Sequence, residues 1–121
     1  MPTDVVVPRH IEVTEMMVRL YVFLANYLDR CVNESARQTY PEEELQAHLT
    51  ETVERLSEIL SINRVVKAKV EKECDEILAL GSACLKAGGG GAMADDIRAA
   101  RAVLQSKMIA LSDVLAVFRS I

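Results

Sequence analysis

Along the first third of the chain, Glu12, Glu15, Arg19, Asn26, Arg30 and Asn33 recur at helical spacing and form one narrow polar stripe. Val13, Met16, Met17, Leu20, Tyr21, Phe23, Leu24, Tyr27 and Leu28 occupy the rest of that helical surface. A surface helix needs an apolar stripe only somewhat wider than ~100°. A helix apolar over most of its circumference is therefore expected either at the centre of a bundle or against another chain.

A second pattern opens at Thr39-Tyr40-Pro41-Glu42. There Thr39 is expected to cap a helix, with Glu42 three residues on and proline in the first turn, where its missing N–H costs nothing. Leu45, Leu49, Thr52, Leu56, Ile59, Asn63, Val66, Val70, Glu73, Ile77, Leu80 and Cys84 then follow at spacings of three and four. As one unbroken helix this segment would be about 67 Å long at 1.5 Å per residue. The one place where it could fold back into two helices is Ser61–Asn63. If it does not fold back, Asn63 lies on the seam and sets register and oligomeric state. A third seam, Ile97, Ala100, Leu104, Met108, Leu111, Leu115 and Phe118, begins after Asp95-Asp96, whose carboxylates suit a helix N-terminus.

Strand signals are missing, because alternation never persists and no Asn-Gly turn occurs. The expected fold is all-α: an elongated, coiled-coil-like bundle of three long helices over about 9–37, 41–87 and 93–120, or four if the middle one folds back. Gly88–Gly91 would join the last two as a flexible linker, although the letters Gly91-Ala92-Met93-Ala94 also resemble an engineered junction. At 121 residues the chain is expected to form a single domain.

Composition narrows the function. A net charge of -4 provides no electrostatic footprint for nucleic acid or an anionic membrane. The longest apolar run, Leu20–Ala25, is far short of the ~20 residues that a membrane span requires. Cys31, Cys74 and Cys84 are odd in number and widely spaced, with no Cys-x-x-Cys pair, so a reducing, cytoplasmic location is expected, with the nucleus also open. His10 and His48 each lack a second ligand at i+3 or i+4, so no metal or other cofactor is expected. The glutamates between Glu42 and Glu58 are spread round a helix without a cleft, which argues for a solvated face rather than acid–base catalysis.

These readings lead to a non-enzymatic scaffold or adaptor subunit that packs with itself or with other helical proteins. Tyr21, Phe23 and Tyr27, three of the five aromatics in the chain, lie within seven residues and are the expected partner-facing anchors, with Leu56 and Asn63 on the seam. The alternative is a self-contained four-helix bundle that binds a client peptide or ligand in a groove.

Overall fold

The computed structural model describes residues 9–86 and 94–119, and among them there is no strand. The chain forms α1 (Arg9–Val32), α2 (Glu34–Thr39), α3 (Glu42–Ile59), α4 (Arg64–Lys86) and α5 (Ala94–Arg119). The Gly88–Gly91 run, expected as a linker, lies outside the described residues.

Two asparagines cause the two breaks that divide the expected segments. At Asn33 the backbone is extended (φ -135°, ψ 120°), and its side-chain oxygen accepts from the Ser35 N–H at 2.9 Å, which starts α2. The first segment is therefore not continuous to residue 37. Arginines staple this corner: Arg37 Nε donates to the Arg30 carbonyl at 2.7 Å, and Arg30 donates to the Tyr40 carbonyl at 2.9 Å. Arg37 thus satisfies one of the carbonyls left over where α1 ends.

Asn63 repeats the device. Its side chain accepts from Val66 N–H at 3.2 Å while its own carbonyl accepts from Lys67 N–H at 3.0 Å. Asn63 is exposed and starts a helix, which corrects its expected place on a buried seam. The unbroken middle helix is corrected with it, because residues 60–63 turn and send α4 back along α3. Thr39 does not cap α3 either. Its hydroxyl donates to the Ser35 carbonyl at 3.0 Å, and Pro41 occupies the position before α3 with no side-chain cap. What favours the start of α3 is Glu42, Glu43 and Glu44, whose charges sit at the positive end of the helix dipole.

The helix α1 is the common neighbour, in contact with α3, α4 and α5. Ion pairs fix the directions. Arg55 of α3 binds Glu12, and Glu42, at the other end of α3, lies 3.8 Å from Arg30, so α3 runs antiparallel to α1. Arg101 of α5 meets Asp29 at 2.7 Å and Lys107 meets Glu73 of α4 at 2.9 Å. The core gathers Leu20, Leu24, Leu28 and Cys31 of α1 with Leu45, Leu49 and Leu56 of α3, Val70, Cys74 and Cys84 of α4, and Ile97 and Leu104 of α5.

One glycine is required by this packing. At Gly81 of α4 an added Cβ would collide with the Tyr27 ring and lie 2.9 Å from Cys31 Sγ, so only a bare Cα lets α1 and α4 approach this closely.

Candidate functional site

The three expected anchors of α1 each turn to a different neighbour within the chain. Phe23 stacks on His48 of α3, with ring centroids 5.0 Å apart and planes 7° from parallel. Tyr27 lies on Gly81 and donates its hydroxyl to the Leu78 carbonyl of α4 at 3.2 Å. Tyr21 is only 5% exposed, with Lys107 Nζ of α5 5.8 Å from its ring centre. One seam could not receive all three side chains, but three surrounding helices do, burying Tyr21 and half-burying Phe23 and Tyr27. Tyr21 therefore has no free surface to offer, and Phe23 and Tyr27 keep only part of theirs.

The phenols register this environment. Burial, then the nearby Glu73 charge, pushes the Tyr21 hydroxyl well above the usual tyrosine range. Burial first, then Cys31, pushes Tyr27 up to about 12. The thiols of Cys31 and Cys74 are likewise raised, chiefly by burial, and all three cysteines are free and buried. Cys31 and Cys74 lack the thiolate character of a nucleophile. Leu56 is 1% exposed and belongs to the core.

Between α1 and α3 runs an open groove of about 600 Å³. Met16, Phe23 and Thr52 are among its lining residues, together with Arg19, Arg55 and several glutamates of α3. The polar stripe of α1 borders this side, with Arg19 exposed. No cluster of His, Cys, Asp or Glu that could hold a metal ion occurs among the described residues.

The surface that the aromatic pattern does not point to is on α5. Its seam residues Ile97, Leu104 and Leu115 are buried against α1, as their spacing predicts. At 100° per residue, a second set falls on the opposite side of the same helix. Val103 (54% exposed), Ile109 (55%), Val114 (43%) and Val117 (61%) are the large members of that set. Ala99, Ala102, Ser106 and Ala110 fill the positions between them, all exposed. From Ala99 to Val117 the only charge on this outward face is Asp113. A smaller apolar patch, Ile62 and Val65, is exposed around the α3–α4 turn.

The outward stripe is legible in the sequence once the core seam is subtracted, since Val103, Ala110, Val114 and Val117 themselves recur at spacings of seven, four and three. These observations define an all-α chain whose central helix is covered from within and whose last helix is apolar on two opposite sides. Compared with family models, curated proteins and solved structures, the chain matches none. No described helix is long and apolar enough to cross a membrane.

Proposed function

We propose that this chain is a non-enzymatic scaffold or adaptor subunit that assembles, with itself or with other helical proteins, by packing one helix against another. The observation that carries this reading is the outward face of α5, which is about five turns of exposed aliphatic and small side chains with a single charge. Single exposed apolar residues are ordinary, but contiguous patches mark interaction surfaces. Three free, buried thiols support a reducing, cytoplasmic setting.

The double variant Val103→Glu, Val114→Glu tests the reading. Both positions are already exposed, so helicity and melting should be unchanged while association is lost. Association is read by sedimentation and by co-purification from the protein's own cells. Unaltered mass and unaltered co-purifying proteins would sink the proposal.

A second reading, a client peptide or ligand bound in the α1–α3 groove, is favoured by the groove's 600 Å³ and its mixed apolar and charged lining. Arg19→Glu would weaken such binding without touching α5.

A further inference from the structure

Building on the reading of α5 as a docking helix, we propose that its outward face pairs antiparallel with the same face of a second copy of this chain, about a two-fold axis at Ser106.

The argument begins with size. In an antiparallel pair centred on Ser106, positions equally far before and after that residue lie level with each other, and residues on one flank of the first helix face the same flank of the second. Val103 then lies beside Ala110 of the second copy, Val114 beside Ala99, and Ile109 beside Ala102. Each pair is within one residue, ~1.5 Å, of level. The two members of each pair share a flank, at 100° per residue from Ser106. Three of the four large exposed side chains thus meet small ones, Val117 lies level with Asp95 at the end of the pair, and the small Ser106 stands where the two helices cross. A parallel pair would instead set the two Asp113 carboxylates level with each other, about 20° from the facing line at 100° per residue, like charge against like. Interdigitation of large with small is what helix interfaces need for close approach.

Charge gives the second, independent argument. Asp113, which has no ion-pair partner among the described residues, falls opposite Arg98 of the second copy on the same flank, within reach of the long arginine side chain. Two-fold symmetry makes this contact twice. Among the described residues Arg98 pairs with exposed Asp95, at 3.2 Å, a contact readily exchanged. On the other flank Lys107 approaches its own copy near the axis, and Glu73, 2.9 Å from each Lys107, offsets that repulsion. Around the axis the facing positions Val103, Ser106 and Ala110 are all uncharged.

Cross-linking with a short bis-maleimide tests the geometry. Ser106→Cys places two thiols at the axis, so covalent dimers should form rapidly. Val117→Cys places them about 33 Å apart in the antiparallel pair, 22 residues of rise, and should give none. The native thiols are buried, and the unsubstituted chain provides the background. In sedimentation experiments Asp113→Arg should weaken the dimer several-fold, and adding Arg98→Asp should restore it.

Cross-linking through Val117→Cys as fast as through Ser106→Cys would overturn the antiparallel pair. So would a chain that stays monomeric at its highest soluble concentration. In that monomeric case, loss of a natural partner on Val103→Glu, Val114→Glu would overturn self-pairing while leaving α5 a docking helix. Retention of that partner would overturn both.

Discussion

The helices α1 and α5 have similar lengths, 24 and 26 residues, and both carry apolar side chains over much of their circumference. Yet α1 is enclosed by α3, α4 and α5, whereas α5 touches chiefly α1 along one side and leaves its opposite side to solvent. The difference comes from the turn in the middle segment. That segment folds back at residues 60–63, so two antiparallel helices cover α1, while α5 packs mainly on α1. An apolar circumference thus marks a helix that needs neighbours. Whether the neighbours are internal depends on where the turns fall.

That contrast can be broken or sharpened by substitution, and the largest effect belongs to α1. Leu24 is 0% exposed, and Leu24→Ala should cost about 2–5 kcal/mol through lost transfer energy and a cavity, measured by urea denaturation. A loss below 1 kcal/mol would mean that α1 is not enclosed. Next comes the close approach of α1 and α4. Gly81→Ala improves helix propensity by about 1 kcal/mol, but overpacking against Tyr27 and Cys31 costs about 1–3 kcal/mol. A net loss in thermal stability is expected, and a net gain would show that the two helices are free to separate.

The turn that makes enclosure possible depends on Asn63. Asn63→Ala should cost about 1 kcal/mol, the usual value of a lost side-chain cap. Asn63→Leu should cost a similar amount, and an increase in stability would return this residue to a buried seam.

Alkaline titration examines the aromatics of α1. In the unfolded chain a tyrosine loses its proton near pH 10, whereas Tyr27 in the folded chain holds it to about 12. Between those values the unfolded state binds fewer protons, so stability should fall as pH rises from 10 toward 12, having been fully present below 10. Tyr27→Phe should flatten part of that slope in denaturation curves taken at pH 9, 10 and 11. The smallest effect on folding belongs to α5, where Val103→Ser should change the stability of the dilute chain by no more than about 0.5 kcal/mol. A loss as large as that for Leu24 would show that the outward face is covered within the monomer.

Helix content and the three-and-four seams were readable because burial against a single neighbour imposes that period, and Leu45, Leu49, Leu56, Ile97 and Leu104 all lie in the core. The break at Asn63 was readable only as an option. Both α3 and α4 face α1, so the seam runs on through the turn, and an asparagine in that pattern suits a buried register position and an N-cap equally well. Asn33 hid for a related reason, because it continues the polar stripe of α1 while its side chain starts a new helix. Sequence spacing identified Tyr21, Phe23 and Tyr27 as pointing in different directions, but it could not supply the three helices that receive them. The outward face of α5 went unread because the core seam already accounted for a helix there, and valines and alanines announce an interface less loudly than aromatics do.

The central place of α1 also has a consequence for the chain during its own synthesis. Translation delivers α1 first, and the helix that covers one of its flanks, α5, comes 87 residues after Val32 at its far end, Arg119. At roughly 5–20 residues per second that interval is on the order of 4–17 s. Throughout it the central helix α1 stands partly uncovered near the ribosome, so the nascent chain is a natural client for hydrophobic-binding chaperones. A ribosome stalled before residue 94 should hold an α1 that proteases and chaperones can still reach.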